Sequence, residues 1–191
     1  GVTVDVLTPS PAASAAAPAA EPGGRQLEAG AGVGLFFSGG HNLGPAFAAS
    51  LAVAPWRFPL YLELEVGVRA AWFPSVVTGL GTASSTLVVF PIDVGVRGPV
   101  FHQGRWMVEL HAGGGLLLGT NWVSSDFGQG SSQPVAGWEV FGGAQVSYQA
   151  GAYFPYAELR GCYSTVTGTG LTANPGGLVF LLGFHWRGGL P

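Results

Sequence analysis

Thirteen ionisable side chains fall inside otherwise apolar stretches, and their spacing is always even. Glu63, Glu65 and Arg69 form one set; Asp93 and Arg97, Glu109 and His111, Glu158 and Arg160, and His185 and Arg187 form four more, with Glu28 and Glu139 standing alone. Side chains of these types can do three kinds of chemistry. Neighbouring carboxylates can trade protons with a substrate, acids with histidines can hold a metal, and acids with arginines can neutralise one another. Metal binding lacks the tight His/Cys/carboxylate spacing that a preformed site needs, so no metal is expected. Carboxylate catalysis needs a cleft, and no G-x-S-x-G elbow accompanies these residues. The run GAGVG at 30–34 has neither the third glycine of a dinucleotide fingerprint nor a helix after it. No enzyme and no cofactor are expected. Cys162 shares the parity of Arg160, stands alone, and reads as a small packing residue.

The elements that carry these residues are strands, because polarity alternates with period two. Eight segments stand out, over 26–38, 44–55, 59–73, 85–98, 104–119, 135–149, 152–165 and 176–188. Successive residues of a strand face opposite sides. In the third segment Leu62, Leu64, Val66, Val68, Ala70 and Trp72 share one face, opposite Glu63, Glu65, Gly67 and Arg69. The fourth sets Phe90, Ile92, Val94 and Val96 against Asp93, Gly95 and Arg97; the fifth sets Trp106, Val108 and Leu110 against Glu109 and His111. Wherever a segment holds several charges, they share one parity. Large apolar residues take one face, while charges, Gly and Ala take the other. A soluble calyx would invert this.

Composition says what the apolar face meets. Charged residues are 9% of a chain that is 48% hydrophobic, against about a quarter charged in soluble domains. Apolar runs are too short and too often broken among 33 Gly and 14 Pro for a membrane-spanning helix, which needs about 20 apolar residues. Strands in lipid must close into a barrel so that every backbone group is paired. The expected fold is therefore all-β, an eight-stranded antiparallel up-and-down transmembrane β-barrel over 26–191. Its lumen would hold the charge network Glu28, Glu63, Glu65, Arg69, Asp93, Arg97, Glu109, His111, Glu139, Glu158, Arg160, His185 and Arg187. Two aromatic belts support the register: Trp106, Tyr148, Tyr153 and Trp186 at one end, and Phe37, Phe47, Trp72, Trp138 and Tyr163 at the other. Ten residues separate Trp138 from Tyr148, and Tyr153 from Tyr163; tilted by about 40° they climb about 25 Å, the height of the apolar band.

Connections alternate. Pro55–Pro59, Gly98–Gly104 and Gln149–Ala152 read as short turns, and Phe73–Ser84, Thr120–Pro134 and Thr165–Pro175 as long Gly/Ser/Thr-rich loops. Outer-membrane barrels keep short turns in the periplasm, which places both termini there and the long loops outside the cell. Residues 1–25, with the run PSPAASAAAPAAEPGG, read as an extended Pro/Ala-rich periplasmic tether or the end of a preceding domain. The absence of an initiator Met is expected of a mature form or a piece of a longer protein. All seven basic residues are Arg and form no stripe, which argues against nucleic-acid binding.

The stretch Thr86–Gly98, TLVVFPIDVGVRG, resembles a pattern recurring in small outer-membrane barrels of the OmpW, OmpX and OmpA-barrel type: an apolar strand with a proline, then glycine and a basic residue. The resemblance covers about 26–188 and is architectural. Those barrels usually end on an aromatic residue, whereas here Phe180, Phe184 and Trp186 are followed by GGLP. Resemblance and parity together imply a bacterial outer-membrane protein whose partners are lipid and, through the N-terminal segment, periplasmic or envelope proteins. The expected role is a non-enzymatic anchor or structural subunit with a plugged lumen. A narrow channel for small ions or small apolar molecules is the alternative; a surface adhesin and a lipid-modifying enzyme rank below both.

Overall fold

The computed structural model describes residues 26–39, 42–55, 60–77, 81–126, 128–169 and 171–189. The expected tether over 1–25, His41 and most of the Pro55–Pro59 turn lie outside the described residues. The strands are β1 (Gln26–Ser38), β2 (Asn42–Ala54), β3 (Tyr61–Val77), β4 (Gly81–Gln103), β5 (Trp106–Ser125), β6 (Gly128–Tyr148), β7 (Tyr153–Gly168), β8 (Leu171–Ala173) and β9 (Gly177–Gly189). Each of β1 to β7 pairs antiparallel with the next, β7 pairs with β9, and β9 returns to β1. Eight strands close the ring. The three-residue β8 only borders the top of β7.

The registers fix the slant of the strands. A walk through direct partners runs Leu27, Val53, Leu62, Val96, Ala112, Gly142, Gly161, Leu178, and arrives back on β1 at Phe37. The ring therefore closes ten residues above its start (37 − 27). Ten residues of about 3.3 Å against eight inter-strand steps of about 4.8 Å give a tilt of about 40° and a backbone radius of about 8 Å, a space that side chains fill. Gln26 pairs with Gly189, so β1 begins and β9 ends at the same rim as the Gly104–Arg105 and Ala150–Gly151 turns. Gly104 (φ 61°) and Gly151 (φ 69°) supply the left-handed backbone of those turns.

Pro91 sits inside a central strand, where a missing N–H breaks a ladder. The β3–β4 register skips from Val66–Ile92 to Arg69–Val89. At the gap, a Cβ on Gly67 would lie 3.2 Å from the Pro91 ring, so glycine leaves the ring its room.

The connections differ from expectation at the far rim. The segments 73–84 and 120–134, expected as loops, are mostly strand: β3 pairs with β4 up to Val77–Gly81, and β5 with β6 up to Ser125–Gly128. Two long hairpins rise there, and the asymmetry between the rims lies in strand length. Ser, Thr and Gly on both faces of a hairpin standing in water erase the period-two signal while the backbone ladder continues. At the short-turn rim, β4 likewise runs on to Gln103, past a bulge between Pro99 and Phe101. His102, placed in a connection by the sequence pattern, is an exposed residue of that strand.

Candidate functional site

The interior begins with the alternation itself. On all eight barrel strands one parity is exposed and the other buried; Val94 is 61% exposed, while its neighbour Asp93 is 1% exposed. Of the thirteen ionisable residues, twelve are buried in the lumen and Arg187 is half-buried at the short-turn rim. The network is divided into three tiers along the barrel axis.

The tier nearest the short turns centres on Arg97 of β4. Its Nη2 donates to Glu28 Oε1 and its Nη1 to Glu109 Oε2 at 3.3 Å, and its Nε lies 3.6 Å from Glu63 Oε2. Arg187 bridges the same two acids, from Nε to Glu28 and from Nη2 to Glu109 Oε1 at 3.3 Å. His185 Nδ1 stands 3.1 Å from Glu28 Oε1, and Gln145 ties His185 to Glu109. Aromatic rings wall the tier: the Arg187 guanidinium lies 4.1 Å from the Phe154 ring centre and 5.1 Å from that of Tyr61. Cation–π contacts of this kind hold a guanidinium without water.

In the middle tier Arg160 takes both oxygens of Glu65, at 2.5 and 2.7 Å, and its Nε donates to Glu158 Oε1 at 2.7 Å. Planar fork-to-fork pairing is the strongest form of this bond. His111 Nε2 is 3.4 Å from Glu158 Oε1, and the Arg160 guanidinium sits 4.4 Å from the Phe141 ring centre. In the upper tier Arg69 Nη1 donates to Glu139 Oε2 at 2.7 Å, with Cys162 Sγ at 3.6 Å. Asp93 shares this level and has no hydrogen-bond partner on either oxygen.

Beyond the upper tier the chemistry changes. Leu87 and Val89 of β4, Leu117 of β5, Val135 of β6 and Val166 of β7 form a buried apolar cluster facing the hairpin rim. A second cluster, with Phe36, Val179 and Leu181, packs beside the upper tiers. The lumen is therefore not lined by charges and small residues alone, as the sequence suggested. Bulky residues share the inward parity, and the clue to them was that parity rather than residue type. The same clue marks Gln145, Tyr156 and Phe141, which the sequence reading did not single out.

On the outer surface, Trp106, Tyr153 and Trp186 ring the short-turn end and are exposed, with half-buried Tyr148 edge-on to Trp106 at 5.1 Å. Phe37, Phe47, Trp72, Trp138 and Tyr163 are exposed higher up, and the rings of Trp138 and Tyr163 lie 5.8 Å apart. Between these sets the exposed face is aliphatic, with Leu51, Leu64, Val66, Val94, Leu110, Leu116, Leu159 and Leu182 among its members. A continuous apolar girdle of this kind is rare on a soluble monomer. Among the described residues no helix is long and apolar enough to cross a membrane, and no three His, Cys, Asp or Glu side chains converge on a metal position.

No protein-family model matches this sequence, and no curated protein matches it. Solved structures do. The chain is similar to a major outer membrane protein from Thermus thermophilus, at 14% identity and a TM-score of 0.56, over 86% of this chain and 99% of that one. Two further barrels match at TM-scores just under 0.5. One is the N-terminal β-barrel domain of Pseudomonas aeruginosa OprF, at 17% identity and 0.49, over 86% of this chain and 98% of that one. The other is Neisserial surface protein A, at 16% and 0.48, over 86% and 96%. The closed eight-strand ring and the Thermus likeness together show that this chain has the fold of a small eight-stranded β-barrel like that outer membrane protein.

Proposed function

We propose that the protein is a non-conducting barrel of the bacterial outer membrane, serving as an anchor or structural subunit of the envelope. The observation that carries this reading is the double closure of the lumen. Three tiers of ion pairs fill one part, and the cluster of Leu87, Val89, Leu117, Val135 and Val166 fills the part nearest the hairpins. An ion crossing the barrel would have to break paired charges and then shed its water among aliphatic side chains, each step costing several kcal/mol. The lipid-facing girdle and its belts supply the anchoring. The short-turn rim, where β1 begins and β9 ends, faces the periplasm, and the partners there are periplasmic or envelope proteins.

Planar-bilayer recording tests the closed lumen. The purified barrel at neutral pH gives no steady unitary current, and sustained openings would establish the channel reading instead. Fractionation of cells making the protein tests location: it co-sediments with outer membrane and resists alkaline extraction.

A further inference from the structure

The three tiers share one charge pattern. Glu28, Glu63 and Glu109 face Arg97 and Arg187; Glu65 and Glu158 face Arg160; Glu139 faces Arg69, with Asp93 at the same level. Each tier holds one acid more than it has arginines. In the first two every acid is paired with an arginine. In the upper tier only Glu139 is. That tier's excess acid is Asp93, 1% exposed.

The sheet sets Asp93 in one row with another acid. Asp93 pairs with Gly115, and Gly115 with Glu139, so the two acids flank one glycine in a single row. A Cβ on Gly115 would lie 2.6 Å from Asp93 Oδ1, which shows the carboxyl leaning over the bare backbone of β5. Asp93 Oδ1, Asp93 Oδ2 and Glu139 Oε1 are all buried without a donor, while Glu139 Oε2 is taken by Arg69. The other groups facing the pair are Glu65 on β3, already held by Arg160, and Cys162 on β7. The neighbouring void lined by Glu65, Arg69, Pro91 and Arg160 has no space for a water molecule.

Two buried carboxylates one glycine apart in a single row, with one arginine salt-bridged to Glu139 and none to Asp93, are costly to keep ionised together, because like charges repel strongly where water is excluded. We propose that Asp93 and Glu139 share one proton inside the lumen. The Asp93 carboxyl carries it and donates to Glu139 Oε1, and Glu139 remains the anion that Arg69 holds. One proton satisfies the orphaned oxygen on Glu139 and removes the tier's excess charge.

Infrared spectra of the barrel folded in lipid vesicles at neutral pH test this. Wild type shows a protonated-carboxyl C=O band that is lost in D93N and in E139Q and kept in E63Q. Wild type also releases about one proton more than D93N when unfolded at that pH, since a free Asp side chain titrates near 4. Should D93N fail to fold, the wild-type band and the E139Q comparison still decide. No band in wild type, or equal proton release from wild type and D93N, overturns the proposal. Stability that depends on sodium or potassium at fixed ionic strength, with no carboxyl band, does so in favour of a bound cation.

Discussion

At the level of single residues the barrel is held by unequal partners. Arg97 touches three acids, Glu28, Glu109 and Glu63, and no other described arginine can reach all three. Its removal leaves several buried carboxylates short of a cation, and breaking a buried pair from one side costs about 3–5 kcal/mol. Arg97→Met is therefore expected to lose at least that much in urea unfolding from lipid vesicles. Replacing Glu63 by Gln, which releases only the 3.6 Å contact, should cost far less. Gly137 is constrained differently: a Cβ there would lie 1.8 Å from the Thr165 carbonyl oxygen, in the neighbouring strand's backbone. Gly137→Ala must force β6 and β7 apart, and overpacking of this kind costs about 1–3 kcal/mol. Gly142, whose added Cβ would meet nothing closer than 4.0 Å, should accept alanine without measurable loss.

The strands and hairpins were unevenly legible in the sequence. Which residues face inward was plain, because an arginine facing lipid at mid-membrane costs about 2–4 kcal/mol and so Arg69, Arg97 and Arg160 each fix the register of their strand. The upper reach of the hairpins was hidden, since Ser84, Ser124 and Ser132 stand in the same solvent as the faces behind them and leave no contrast to read. The inner apolar cluster was hidden for the opposite reason: Leu117 and Val135 are as greasy as their lipid-facing neighbours, so both faces look alike. One contact at the hairpin tips can be tested directly. Asp126 Oδ2 accepts from the Thr82 hydroxyl at 2.5 Å and the Thr82 N–H at 3.0 Å, and these bonds hold its carboxyl below the ordinary range. The clasp is complete above the free carboxyl value of about 4 and fails as pH falls through the lowered one. Amide exchange at Thr82, corrected for its intrinsic pH dependence, should quicken on acidification in wild type. It should already be fast at neutral pH in Asp126→Ala.

For the molecule as a whole, two barriers in series make single changes poor openers. Leu117→Ala with Val166→Ala hollows the apolar cluster and should lower stability by about 2–5 kcal/mol for the leucine alone, yet bilayers should still show no current because the ion pairs remain. Current is expected only when such a change is joined to the loss of Arg97 and Arg160. A leak from the Leu117/Val166 variant by itself would mean that the charged tiers do not seal.

The confinement of guanidinium groups also sets how a protease meets this protein. The chain has no lysine, and four of its seven arginines, Arg69, Arg97, Arg160 and Arg187, belong to the lumen. The other three are Arg25, ahead of β1, Arg57, between β2 and β3, and Arg105, in the turn after β4. Arg105 is exposed at the short-turn rim, and Arg25 and Arg57 lie outside the described residues. Among the described residues trypsin applied from the hairpin side meets no exposed arginine, while trypsin admitted to the opposite side meets Arg105, so cleavage after Arg105 reads out which way the molecule was inserted.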